Sequence, residues 1–139
     1  MLLRPKELGI DDPEDPTIME EFVEALGAET VEWRAKVRCC GSYHTVNNKD
    51  VVVNLAHGII ENAREAGAEA IITSCPLCAF NLDHRQEEIR KKYLDFETMP
   101  VFYFSQLLAL ALGVDGDALG WDKHYIDPLP LLKAKNVLQ

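Results

Sequence analysis

"AEAIITSCPLCAF", residues 68–80, changes character at its middle. Up to Ser74 it is small and apolar, with Ile71 and Ile72 at its centre, the composition of a short covered strand. From Leu77 onward "LCAFNLDHRQEEIRKKY" reads as a helix with its charges gathered towards the far end. The stretch predicts a strand over 68–74, a C-x-x-C loop opening at Cys75, and a helix over 77–93 that takes Cys78 into its first turn. A strand that feeds a helix is the repeating unit of a parallel α/β sheet.

Upstream, Asn47 or Asn48 can cap a helix reaching about Ala66, with Val52, Leu55, Ile59 and Ala63 on its buried face and Gly67 as its stop. "TVEWRAKV" (30–37) alternates Val31, Trp33, Ala35 and Val37 against Glu32, Arg34 and Lys36. Period two predicts a second strand, one face covered, running into Cys39-Cys40-Gly41. Before it, "DDPEDP" is a loop; Asp15 caps and Pro16 opens a helix carrying Ile18, Met19, Phe22, Val23 and Leu26, which Gly27 stops. Downstream, "PVFYF" (100–104) predicts a third strand and "SQLLALALG" a buried helix ended by Gly113. The tail "GWDKHYIDPLPLLKAKNVLQ" reads as loop with a helical turn near its end. Helices thus alternate with strands throughout. The fold class is α/β: a three-layer, Rossmann-like domain over 1–139, with a short parallel sheet, helices on both faces and right-handed crossovers.

Composition narrows the function. Fourteen Lys+Arg against 23 Asp+Glu give a net charge of -9. That balance excludes a basic nucleic-acid groove and disfavours an anionic membrane surface. No apolar run approaches the ~20 residues of a membrane span. "MLLRPKELGIDDPED" has none of the features of a secretory signal, so the expected compartment is cytoplasmic.

The chain carries four cysteines, as the doublet Cys39-Cys40 and as Cys75 and Cys78, with 34 residues between the two groups. An export-free chain with a sizeable core has no need of a disulfide framework, and adjacent cysteines bridge only under strain. In an open parallel sheet, sites gather where strands end. Both groups fall at such ends on this reading, so the four thiols are expected to converge as metal, cluster or redox ligands rather than to pack as buried apolar groups. A helix N-terminus at Cys75 and Cys78 favours thiolate, Gly41 permits a sharp turn, and Pro76 stiffens the C-x-x-C loop.

"RCCGS", "SCPLCAFNLD" and "PVFYFSQLLALALG" resemble the cysteine-rich CCG domain. That domain occurs in the B subunit of heterodisulfide reductase and in related iron–sulfur subunits of lactate, glycolate, glycerol-3-phosphate and succinate oxidoreductases. The likeness covers nearly the whole chain. It implies a non-cubane 4Fe–4S cluster held by five cysteines, with Cys39, Cys40, Cys75 and Cys78 as four of them. It also implies electrons arriving from partner subunits that carry ordinary iron–sulfur clusters, and an activity, electron transfer or disulfide reduction, that belongs to the complex and not to the isolated chain. Ser42 and Ser74 become candidate donors beside the cluster. The family pattern has a further cysteine just ahead of a stretch like "LLRPKELG", which here begins at residue 2 behind Met1. The expectation is a C-terminal piece of a longer two-repeat subunit, cut inside the motif, unable to hold the full cluster and prone to homodimerise through an uncovered sheet edge.

Two rival readings stand beside this one. The four cysteines could form a structural zinc site. Alternatively, Cys75 and Cys78 could serve as a thioredoxin-like dithiol, which leaves the doublet without a role. Among the other residues, His44 could ligate or donate near the cysteines, although a loop histidine is more often solvated. His57 and His84 read as structural or solvent-facing, His124 as uninformative, and Trp33 and Trp121 as packing groups.

Overall fold

The computed structural model describes residues 11, 12 and 14–137. In chain order its elements are α1 (Ile18–Ala25), α2 (Lys49–Glu65), β1 (Ile71–Thr73), α3 (Pro76–His84), α4 (Gln86–Lys92), β2 (Val101–Tyr103), α5 (Phe104–Ala111) and α6 (Leu129–Ala134). The two strands pair in parallel, Ile71 opposite Val101 and Thr73 opposite Tyr103. The fold is therefore α/β with a short parallel sheet, and the crossover between its strands is the helical pair α3 and α4.

Strand alternation divides the core. Ile71 and Val101 join Val53, Ala56, Ile59 and Ile60 of α2, with Ile89 of α4, in one apolar cluster. Ile72 and Phe102 belong to a second cluster with Leu119, Trp121 and Leu132. Asn48 caps α2, its side chain accepting the Val51 amide, and Gly67 closes that helix at φ +87°.

Several expectations are corrected. Residues 30–37 form no strand: 34–37 are a turn, and the Ala35 amide donates to Asn62 Oδ1 at 2.9 Å instead of entering a ladder. The alternation holds as a burial pattern only as far as Ala35, which is buried, with Trp33 packed on the first cluster; Val37 is exposed. Lys36, on the other side, reaches Asp15 Oδ1 (2.5 Å) and Glu20 Oε1 (3.0 Å) and ties the turn to α1. Asp15 is thus occupied elsewhere, and Asp11 receives the amides of Thr17 and Ile18 at the start of α1. The helix expected over 77–93 is two helices that meet at Arg85. Gln86 Nε2 donates to the Leu82 carbonyl (2.8 Å) and the Met99 carbonyl (2.7 Å), while Gln86 Oε1 accepts the Met99 amide (2.8 Å). A fully buried side chain thereby competes for a carbonyl that a continuous helix would bond through the backbone. α5 is half-buried rather than buried, with Leu112 beyond it 74% exposed. The helical turn expected near the end of the tail is α6, started where Asp127 Oδ1 accepts the Leu129 amide, and the segment before it is packed, Trp121 meeting Phe102 edge-on at 6.0 Å. The start of the chain, "LLRPKELG", lies outside the described residues.

Candidate functional site

The chain leaves the turn at 34–37 and reaches Cys40, which is fully buried in the first cluster, while Cys39 beside it is exposed. Gly41 then turns at φ +76°, in the left-handed region. A Cβ there would lie 2.5 Å from Leu55 Cδ1, so the position requires both the conformation and the missing side chain. On the other side β1 ends at Thr73, whose Oγ1 accepts the Cys75 amide at 3.1 Å. Cys75 is the N-cap of α3, Pro76 is its first residue, and Cys78 sits in its first turn. Tyr103, at the end of β2, donates its hydroxyl to the Ser74 carbonyl at 2.9 Å and braces this corner from the neighbouring strand.

The two cysteine groups meet through Cys40 and Cys78, their sulfurs 3.3 Å apart. Asn81, one turn further along α3, donates Nδ2 to Cys40 Sγ at 3.5 Å and accepts the Thr45 hydroxyl at 3.2 Å. The Cys78 hydrogen bond is the main cause that holds the Cys40 thiol down to about 6; burial opposes it, and Asn81 and the Ser42 amide add to it. The same bond, with burial, pushes the Cys78 thiol far up. The pair gives up one proton readily and keeps the second, which makes it a thiol–thiolate couple at neutral pH. Proximity to the start of α3 favours the same charge state.

Cys75 stands beside Cys78 and affects its protonation. Cys39 Sγ accepts the Gly41 amide at 3.4 Å. Among the described residues no three Cys, His, Asp or Glu side chains gather tightly enough to hold a single metal ion. A tetrahedral ion needs four sulfurs each ~2.3 Å from it, whereas a polynuclear cluster joins sulfurs that stand further apart. The donor set, four thiols with one already favoured as thiolate, fits iron–sulfur ligation in kind.

The other candidates divide. Ser42 contributes its backbone amide, and Ser74 its carbonyl to Tyr103. His44 is exposed and ends a short turn over 42–44. His57 stacks on Tyr93, centroids 3.7 Å apart, and is structural. His84 is structural, half-buried against Phe80 and Tyr125. His124 is far from uninformative: its side chain is only 9% exposed and is set between Gln106 and Asp83. Asn81 escaped the sequence reading. Its only signal is a polar residue one turn after Cys78, on the helix face that the C-x-x-C presents to the core.

The sequence profile of the cysteine-rich domain family, CCG, matches residues 2–83, which contain all four cysteines. The chain belongs to this family. Over 130 residues, 93% of its length, this CCG chain is 37% identical to the 8-methylmenaquinol:fumarate reductase membrane anchor subunit of Wolinella succinogenes, of which the match covers 46%. It is 31% identical over 134 residues to the B subunit of the ferredoxin:CoB-CoM heterodisulfide reductase of Methanosarcina mazei, covering 94% of this chain and 45% of that one. It is 33% identical over 136 residues to the B subunit of the ferredoxin/F(420)H(2)-dependent CoB-CoM heterodisulfide reductase of Methanosarcina acetivorans, again covering 45% of it. The CCG chain spans less than half the length of these relatives, which by name are subunits of reductases. None of its helices, among the described residues, is long and apolar enough to cross a membrane.

Proposed function

We propose that the chain is the iron–sulfur domain of an oxidoreductase subunit, of the kind found as the B subunit of heterodisulfide reductase, with Cys39, Cys40, Cys75 and Cys78 as ligands. The observation that carries it is the 3.3 Å contact between Cys40 and Cys78, which joins two motifs far apart in sequence in a pocket built for thiolate. When bound, the cluster supplies a store that takes up and passes on electrons. The chain's own residues do the holding. Asn81 fixes Cys40, Gly41 lets the doublet turn inward, and Thr73 and Tyr103 set the C-x-x-C corner.

The finer parts of the reading rest on the family resemblance of the cysteine motifs. The cluster is of the non-cubane 4Fe–4S type, residues 1–139 form one domain of a longer subunit, and its partners in the cytoplasm are complex subunits carrying ordinary iron–sulfur clusters. The two apolar clusters on opposite faces of the strand pair support a Rossmann-like, three-layer plan. Anaerobic reconstitution with iron and sulfide tests the reading by metal and labile-sulfide content. Cys40→Ser and Cys78→Ser are expected to abolish incorporation. Zinc bound in place of iron, or wild-type iron uptake by both variants, would refute it.

A second reading, a dithiol redox protein, is favoured by the same contact in one respect. The couple poised to form a disulfide is Cys40 with Cys78, across the two motifs, rather than Cys75 with Cys78. Oxidation of the metal-free chain followed by peptide mapping separates the two pairings.

A further inference from the structure

Asn81 stands on the same face of α3 as Cys78, one helical turn further on, and is 1% exposed. Its amide is engaged at both ends. Nδ2 lies 3.5 Å from Cys40 Sγ, and Oδ1 accepts the Thr45 hydroxyl at 3.2 Å. A thiolate only accepts, so it takes the nitrogen end of the amide. The oxygen end is left for a donor, and Thr45 supplies it from the end of the short turn over 42–44. Among the described residues, Asn81 is the one side chain other than a cysteine that donates to any of the four sulfurs.

The donors around Cys40 differ in what remains once metal is bound. Iron takes thiolates, so ligation by Cys78 removes the proton that otherwise bridges to Cys40. The Ser42 and Asn81 amides keep theirs. Cys40 is fully buried, and a fixed N–H there acts on a sulfur that water does not screen. An electron added to an iron–sulfur group increases the negative charge on its sulfurs. A donor at such a sulfur stabilises the reduced form more than the oxidised one, which is how hydrogen bonds set the potential.

We infer that Asn81 is a positioning residue for electron uptake: its Nδ2–H on the Cys40 sulfur makes the bound iron–sulfur group easier to reduce, and Thr45 holds the amide in the orientation that does so. The inference rests on the ligand assignment proposed above. The Ser42 amide stays in place whatever side chain occupies position 81, so loss of Asn81 weakens the effect without abolishing it.

The chain and its variants are reconstituted anaerobically with iron and sulfide, and the visible absorbance is titrated against mediator dyes to give a midpoint potential. One electron enters from the reduced dye, no covalent bond changes at Asn81, and both of its protons stay on Nδ2. Asn81→Leu is expected to shift the equilibrium about tenfold towards the oxidised form, a midpoint about 59 mV lower for a one-electron couple. Thr45→Val, which frees the amide to turn, should shift it the same way by less. Gln86→Ala alters a buried side chain that touches no sulfur, and should leave the midpoint unmoved although it weakens the fold. Equal midpoints in wild type and Asn81→Leu at equal iron content would overturn the inference, as would a shift in Gln86→Ala as large as that in Asn81→Leu. Should Asn81→Leu not fold or load, a wild-type midpoint in Thr45→Val overturns it equally. A wild type that takes up no iron removes the ligand assignment and this inference with it, so iron content tells the two failures apart.

Discussion

Replacing Cys78 with alanine removes the donor that does most to stabilise the Cys40 thiolate. A hydrogen bond to a charged acceptor contributes about 1.5–3 kcal/mol. At 1.36 kcal/mol per pH unit, its loss moves the Cys40 midpoint from about 6 up by about one to two pH units. Ultraviolet thiolate absorbance of the metal-free chain, titrated under anaerobic reducing conditions, reads the change directly. The pair also shapes stability. The folded Cys40 midpoint lies below the value of about 8.5 for an unfolded thiol, so its contribution is present above that value and is lost as pH falls through about 6. Cys78, raised in the fold, contributes in the opposite sense: its stabilisation is full below the unfolded midpoint and is lost at higher pH. The thiol part of the unfolding free energy is therefore expected to climb between about pH 6 and 8.5 and to decline above. In Cys78→Ala the climb should begin later and the decline should vanish. A variant whose thiolate midpoint coincides with the wild type's would refute the coupling of the two sulfurs.

Asn81→Leu should raise the Cys40 midpoint by less than Cys78→Ala does and cost about 1 kcal/mol in urea unfolding, because it deletes a longer bond and strands the Thr45 hydroxyl. Gly41→Ala should cost about 1–2 kcal/mol from its left-handed φ alone, with Leu55 displaced, and urea unfolding at neutral pH checks it. Gln86→Ala removes three buried hydrogen bonds, two from α4 to Met99 on the approach to β2 and one to Leu82 of α3, and should lower stability by about 2–4 kcal/mol in the same assay. Light scattering at micromolar concentration tests the homodimer: a mass of one chain throughout would dismiss it.

The readable parts of this chain were those whose physics is local. The Asn48 cap, the stops at Gly27, Gly67 and Gly113, and the passage from Ile71–Thr73 into a helix at the C-x-x-C each depend on a few neighbouring residues. Residues 30–37 show the limit. Alternation reported the covered side chains as far as Ala35 and missed Val37, which is exposed, and it does not say whether a partner strand receives the backbone; here Asn62 takes the Ala35 amide. The break at Arg85 was hidden for a similar reason, since Gln86 is a good helix former whose side chain is claimed by Met99, a residue remote in sequence. At the site, the doublet and the C-x-x-C were visible as a pattern. Asn81 and the Gln106–His124–Asp83 chain were not, because polar residues with distant partners leave no periodicity.

α3 begins at Pro76, capped by Cys75, and ends one residue past Asp83, whose carboxylate grips the amides of Tyr125 and Ile126. Nine helical residues make a rod of about 13 Å, too short to bend appreciably. Any tilt imposed on its cysteine end is thus carried to the grip at the other. Hydrogen–deuterium exchange at Tyr125 and Ile126 consequently becomes a remote gauge of what the thiols hold, readable without touching a cysteine.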